Sequence, residues 1–172
     1  MALALPLLAV TLFAVTSCGY HAAGKADLVP KTIHTIAIPS FTNTTTRFRL
    51  TGWLPEAISR EFISRTRYRV VADSKEADAV LNGAVTNFTS FPTVFDPATG
   101  RASAVEVHVY MRVELVERAT GKTIFSRPAF EVRERYQIST DPTAFFEESD
   151  AALDRLARQT ARQVVSAILE NF

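Results

Sequence analysis

Residues 105–115, VEVHVYMRVEL, alternate apolar and polar side chains without a break. The apolar residues are Val105, Val107, Val109, Met111, Val113 and Leu115, and the polar residues are Glu106, His108, Tyr110, Arg112 and Glu114. Successive side chains of a β-strand point to opposite faces, so this segment predicts a strand with one buried face and one face in water.

Four other segments have the pattern of strands, at residues 33–38, 68–71, 79–88 and 124–138. Pro128 inside the last one indicates a break, a bulge or an edge position, and Gly83 indicates a bulge or a close-packing point. Residues 42–46 are expected to form a loop, and residues 96–100 and 120–122 to form turns.

Two segments have the periodicity of amphipathic helices. The first buries Leu50, Trp53, Leu54, Ala57, Ile58 and Phe62, with Thr51 as the expected N-cap and Pro55 in the first turn. The last helix starts at Asp141-Pro142. Its predicted buried stripe is Phe145, Ala152, Leu153, Leu156, Thr160, Val164, Ala167 and Ile168, and its predicted outward residues are Asp154, Arg155, Arg158 and Arg162.

The resulting element order is β-α-β-β-β-β-α. The economical arrangement is an α+β fold, with two helices packed on one face of a mostly antiparallel four- to five-stranded sheet. We expect residues 32–172 to form this single domain.

The N-terminal segment has a different character. Residues 1–17 carry no charge and have the length of a signal-peptide apolar region, ending in Val15-Thr16-Ser17-Cys18. This ending resembles a bacterial lipobox and predicts a signal peptide over 1–17, a lipid-modified Cys18, and a tether over 18–31. No Lys or Arg precedes the apolar run, so the true start is expected to differ from Met1. The alternative is that Cys18 is an unpaired structural thiol.

Composition narrows the function classes. Of the 172 residues, 19 are Lys or Arg and 18 are Asp or Glu, so the near-neutral chain lacks the cation excess of a nucleic-acid-binding protein. The single Cys excludes a disulfide framework and a zinc site built on several thiolates. No phosphate-binding glycine loop or nucleophile elbow occurs, so we expect a non-enzymatic protein with no cofactor beyond a covalent lipid. A hydrolase using Glu147 or His108 is the weakest alternative.

Arginines are the residues best suited to bind an anionic headgroup, because a guanidinium pairs bidentately with phosphate. The candidates are Arg101, Arg112, Arg133 and Arg135. The alternative is a solvated face on which arginines pair with Glu106, Glu114, Glu131 and Glu134 of neighbouring strands. The aromatic residues Phe88, Phe91, Phe95 and Tyr110 belong either to the core or to a partner contact.

Several segments together resemble the LptE family of lipopolysaccharide-assembly lipoproteins. They are Cys18-Gly19-Tyr20-His21, Ile33-His34-Thr35-Ile36-Ala37-Ile38-Pro39, Asn82-Gly83-Ala84-Val85, Tyr136-Gln137-Ile138-Ser139 and the long final helix ending at Phe172. The resemblance covers almost all of the chain after Cys18. It implies the two-helix, mostly antiparallel fold expected above.

The resemblance also implies a location, partners and a function. Such proteins are anchored in the outer membrane on its periplasmic side, inside the lumen of the β-barrel protein LptD. They plug the barrel, assist its assembly and contact lipopolysaccharide. By this resemblance Cys18 carries the lipid, and Arg101 is the nearest lipopolysaccharide-contact candidate, with Arg112, Arg133 and Arg135 as further ones. Gly19 rather than Asp after the cysteine also favours the outer membrane. The alternative is a periplasm-facing envelope lipoprotein that binds peptidoglycan or a secretion complex.

Overall fold

The computed structural model describes residues 32–97, 100–138 and 142–170, with the backbone alone for residues 142–148. The elements in chain order are β1 (Thr35–Ala37), β2 (Thr42–Asn43), α1 (Leu50–Arg65), β3 (Arg69–Val71), β4 (Ala79–Phe95), β5 (Ala102–Glu117), β6 (Thr123–Gln137) and α2 (Pro142–Glu170). The predicted signal peptide, Cys18 and the tether lie outside the described residues, as do the side chains of Phe145, Glu147 and Glu148.

The strands form a single sheet in the order β3-β1-β4-β5-β6, with β2 paired to β4 as well. The α+β class is confirmed, but the sheet has six described strands rather than four or five. The additional strand is β2, two residues of the segment predicted to be a loop.

The sheet is also less antiparallel than predicted. The three long strands β4, β5 and β6 pair antiparallel, whereas β1 runs parallel to β3 and to β4, and β2 runs parallel to β4. The cause is the connection through α1, because a strand reached by a crossover helix returns parallel to the strand before it.

The long strands extend the sheet well beyond the segments bonded to β1 and β2. β4 continues to Phe95 rather than Phe88, and a register shift between Val85 and Asn87 changes which of its side chains point inward. Past Val85, β4 pairs as a strand with β5 alone, and a free edge of this kind tolerates Pro92. Pro128 also lies at a register shift on the edge strand β6, as its sequence position predicted.

Both helices pack on the face of the sheet that carries the odd-numbered residues of β5. Val105 through Leu115 on that face are buried, as are Leu54, Ile58 and Phe62 of α1 and Leu156, Val164 and Ile168 of α2. The predicted stripes are confirmed for these residues, although Trp53 is only half-buried. The helices lie side by side and run in the same direction, since Arg49 contacts Asp150 and Arg65 contacts Ser166.

The start of α1 differs from the prediction. The N-cap is Arg49 and makes no side-chain capping bond, so Thr51 lies inside the helix and Pro55 lies beyond its first turn. Proline has no backbone N–H to donate to the carbonyl four residues earlier. That carbonyl, Thr51 O, instead accepts a hydrogen bond from the backbone N–H of Phe41 at 3.2 Å. The loop before α1 is therefore fastened to the helix at the position that the proline leaves open.

Phe41 is also the residue that explains Gly83. A Cβ atom at residue 83 would lie 2.3 Å from the Phe41 ring, which is buried against that part of β4. Gly83 is therefore a close-packing point, one of the two predicted alternatives.

Gly83→Ala should lower the free energy of unfolding by about 1–3 kcal/mol, because the ring of a buried phenylalanine must move to admit the methyl group. Gly52→Ala in α1 is the matched control, since nothing lies within 4 Å of its Cβ position. The control should leave stability unchanged or raise it by about 0.5–1 kcal/mol. Urea titrations of the three proteins measure this. Equal stability of Gly83→Ala and the parent protein would show that Phe41 does not pack on this backbone.

Candidate functional site

The face of β4, β5 and β6 that points away from the helices is called here the outer face. Its centre is formed by the even-numbered residues of β5 together with Asn87, Thr89 and Phe91 of β4 and Glu131, Arg133 and Arg135 of β6, which stand opposite them in the register. The sequence predicted the β5 residues of this face from their alternation. The β4 residues were not predicted, because the register shift after Val85 reverses the inward and outward positions.

His108 is the centre of a polar network on the outer face. Its Nε2 lies 2.8 Å from a carboxylate oxygen of Glu106, and its Nδ1 lies 3.0 Å from one of Glu131. The imidazole can donate to both ionised carboxylates only when both of its nitrogens carry protons. Its side chain is only 13% exposed, so these two acidic residues enclose it on a face that is otherwise open to water.

Glu131 connects this network to two further residues. The hydrogen bond from Arg133, at 2.8 Å, is the main reason that the pKa of Glu131 is lowered, and the bond from the Tyr110 hydroxyl lowers it further. The same carboxylate raises the pKa of Tyr110, because the bond favours the protonated phenol, and it also raises the pKa of Arg133. The carboxylate of Glu131 therefore favours the protonated forms of Tyr110 and Arg133.

Aromatic rings border the polar network. The Phe91 ring meets the imidazole of His108 edge to face at 5.3 Å, and the Tyr110 ring lies 6.4 Å from it on the other side. Phe91 is nevertheless half exposed, and Val94 and Phe95 beyond it on β4 are exposed as well. Phe88 points inward and packs against the core. Of the four aromatic residues left undecided by the sequence, one is a core contact and three are available to a partner.

The four predicted arginines do not form one cluster. Arg133 and Arg135 lie together on β6 beside His108 and Glu106. Arg112 lies six residues from Glu106 along β5, roughly 20 Å away, and its nearest carboxylate is Glu114 at 3.8 Å. Arg101 lies immediately before β5, where its carbonyl accepts a hydrogen bond from the Asp96 N–H at 2.8 Å and closes the β4–β5 hairpin.

The ion pairs differ from the alternative stated in the sequence analysis, in which arginines pair with glutamates of neighbouring strands. Arg133–Glu131 and Arg112–Glu114 are pairs within one strand. Glu134 points to the helix side and pairs with Arg155 of α2 at 2.7 Å. Glu131 does bridge strands, but its cross-strand partner is His108 rather than an arginine.

The described residues contain no group of three or more His, Cys, Asp or Glu side chains placed to hold a metal ion. Among the same residues, neither helix has the length and hydrophobicity required to cross a bilayer.

Comparison with known proteins places the fold in a family. The model of the LptE family, described as "Lipopolysaccharide-assembly", matches residues 33–168, which include every described strand, all of α1 and all of α2 except its last two residues. This chain belongs to the LptE family. No curated protein matches the chain by sequence.

Solved structures with the same fold include several lipoproteins. A putative lipoprotein from Caulobacter crescentus has a TM-score of 0.59 at 14% identity, over 86% of this chain and 96% of that one. Rare lipoprotein B from Shewanella oneidensis has a TM-score of 0.54 at 13% identity, over 79% and 94%. The PelC dodecamer from Paraburkholderia phytofirmans has a TM-score of 0.52 at 17% identity, over 79% and 89%. At these identities the likeness shows a shared fold.

The network around Glu131 can be tested by titration. Glu131→Gln should lower the pKa of Tyr110 toward the value of about 10 typical of a free phenol, because the amide no longer favours the protonated form. Ultraviolet phenolate absorbance follows the change, with Tyr110→Phe identifying the Tyr110 contribution. Glu114→Gln, on the same face but paired with Arg112, is the control. An unchanged Tyr110 titration in Glu131→Gln would show that the hydroxyl does not bond this carboxylate.

Proposed function

We propose that this LptE-family protein is an outer-membrane lipoprotein of lipopolysaccharide transport. It acts as plug and assembly partner of an LptD-type β-barrel and contacts lipopolysaccharide on its way to the outer leaflet. The observation that carries the proposal is the family match over residues 33–168, the folded core of the chain. The role proposed is one of binding and scaffolding rather than catalysis.

The proposal includes lipid modification of Cys18. Residues 15–18 supply the lipobox pattern, and the protein is held by acyl chains rather than by a spanning helix. The 13 residues between Cys18 and residue 32 can extend at most about 45 Å. This length lets the domain lie against the periplasmic surface or enter a barrel whose wall is close to the anchor.

The outer face is the surface best suited to the barrel lumen. The interior of such barrels is polar, in contrast to their lipid-facing wall. Apart from the half-exposed Phe91, the centre of the outer face offers carboxylates, guanidinium groups, Tyr110 and Asn87. Its centre carries two negative and two positive side chains, namely Glu106, Glu131, Arg133 and Arg135, without counting His108. Contact with a mixed polar wall would therefore not bury a large excess of one charge.

The end of the β4–β5 hairpin is the surface best suited to lipopolysaccharide. It combines exposed Val94 and Phe95 with Arg101, which lies just across the turn. Lipopolysaccharide carries both phosphates and acyl chains, so it requires a cation beside an apolar surface. Arg133 and Arg135 lie on the same half of the sheet and are the secondary candidates. Arg112 is the weakest of the four because of its distance from the hairpin.

A different envelope partner, such as peptidoglycan or a secretion complex, is the alternative function. The same fold occurs in the PelC dodecamer, so the fold by itself does not choose between partners. The family match favours lipopolysaccharide assembly. Retention of cell-wall fragments by the purified protein, in place of lipopolysaccharide, would support the alternative.

Binding of lipopolysaccharide by the purified mature protein tests the proposed contact. Arg101→Ala should weaken the affinity about tenfold or more, because a hydrogen bond to a charged group contributes about 1.5–3 kcal/mol. Arg133→Ala combined with Arg135→Ala should have a smaller effect. Arg67→Ala, an exposed arginine after α1, is the control. Equal affinity of Arg101→Ala and Arg67→Ala would remove the hairpin end from the proposal.

A further inference from the structure

The turn that precedes α1 presents an exposed aromatic ring between two arginines. Phe48 is 75% exposed, more than any other large apolar side chain among the described residues. Arg47 and Arg49 flank it in the sequence. We call these three residues the Arg-Phe-Arg turn. It is separate from the candidate residues on the outer face and at the hairpin end.

The backbone of this turn is fixed by hydrogen bonds on both sides. The side-chain amide of Asn43 donates to the Arg47 carbonyl at 2.9 Å, and the Arg47 N–H donates to the Thr45 hydroxyl at 3.2 Å. The Phe48 carbonyl accepts from the Thr51 N–H at 3.0 Å, in the first turn of α1. Phe48 is therefore held out in water by an ordered backbone, where its ring is free to contact another surface.

Both guanidinium groups rest on aromatic rings. The Arg47 guanidinium lies 5.0 Å from the centre of the Phe88 ring, and that of Arg49 lies 5.7 Å from the centre of the Trp53 ring. A guanidinium that is already held against a ring can still donate its N–H groups to an anion. Because its side chain is already ordered, binding the anion costs little further conformational entropy. Arg49 also pairs with Asp150 of α2. No carboxylate among the described side chains pairs with Arg47.

A cleft of about 470 Å³ adjoins the turn and is lined by Thr46, Arg47, Phe48, Arg49, Ser149, Asp150 and Leu153. The turn thus places an apolar ring, the guanidinium of Arg47, the Arg49–Asp150 ion pair and an adjoining recess close to one another.

We propose that the Arg-Phe-Arg turn docks on an anionic lipid surface. The Phe48 ring enters the boundary between headgroups and acyl chains, and the guanidinium groups of Arg47 and Arg49 contact lipid phosphates. An aromatic ring flanked by basic residues suits this boundary, where apolar and anionic groups meet. The docking orients the anchored domain and does not require that lipopolysaccharide be bound.

A lipid surface fits this turn better than a protein partner does. The exposed apolar part is one side chain on a projecting turn, whereas a stable protein interface buries more than about 1,000 Å² in total. One ring with two cations is enough to orient a domain already held at a membrane by an anchor. In this respect the inference rests on the lipid at Cys18 that the proposed function includes.

The protein contains its own reporter for this docking. Trp53 is the only tryptophan in the chain and lies under the Arg49 guanidinium. The mature protein is placed in nanodiscs of phosphatidylcholine alone or with phosphatidylglycerol, in each case with brominated acyl chains. The expected result is quenching of Trp53 that depends on phosphatidylglycerol and decreases at high salt.

Two variants and one control assign the effect to the turn. Phe48→Ser should abolish the phosphatidylglycerol-dependent quenching. Arg47→Gln should reduce the ratio of docked to undocked protein about fivefold, since one basic residue near an anionic surface contributes about 1 kcal/mol. Ile63→Ser is the matched control, because Ile63 is an exposed apolar residue (62%) near the other end of α1. It should quench like the parent protein, and thermal unfolding checks that all variants fold.

Equal quenching in Phe48→Ser and Ile63→Ser would overturn the proposal. A change of oligomeric state on Phe48→Ser, without loss of quenching, would overturn it in favour of a second copy of the chain as the occupant. Mass spectrometry of the same preparation reports whether Cys18 carries lipid, so failure of the anchor is distinguished from failure of the docking.

Discussion

The two-residue alternation of β5 is the constraint on which the rest of the molecule depends. Its odd-numbered residues from Val105 to Leu115 are buried with the helix stripes, and its even-numbered residues carry the outer-face network. A slip of one residue in its pairing with β4 or β6 would expose the whole apolar set and bury the charged one. The core and the proposed partner surface are therefore determined together by the same stretch of chain.

The elements that the sequence predicted best are those with a strong local pattern. β5, the burial stripe of α1 and that of α2 from Ala152 onward were all predicted from periodicity alone. The parallel pairing of β1 was not predicted. This strand has only three residues, all buried, and their sequence does not indicate whether the strand runs parallel or antiparallel to its neighbours β3 and β4. The start of α1 was misplaced for a related reason. The carbonyl that Pro55 leaves free is satisfied by Phe41, and this contact between distant parts of the loop and helix has no local signature.

The candidate site was predicted only in its individual residues. Arg133 and Arg135 were chosen from the sequence as candidates in a late strand, but their position on the outer face beside His108 depends on the register between β5 and β6. The bridge from Glu106 through His108 to Glu131 joins two strands that are connected by an intervening turn, so no spacing in the sequence indicates it. In the sequence, Arg47 and Arg49 are recognisable as basic residues just before a helix, but no motif marks Phe48 or the Arg-Phe-Arg turn as a unit. Its exposed ring is visible only once the surrounding hydrogen bonds are known.

In the proposed function, the outer face of the sheet meets a large outer-membrane β-barrel. The most direct test is photo-crosslinking in cells, with a photoreactive amino acid in place of Tyr110 on the outer face and, for comparison, in place of Arg162 on the exposed side of α2. We expect position 110 to crosslink to a large β-barrel protein of the outer membrane and position 162 to do so much less. Crosslinks from position 110 to peptidoglycan-associated proteins alone, with none to a barrel, would contradict the proposed function.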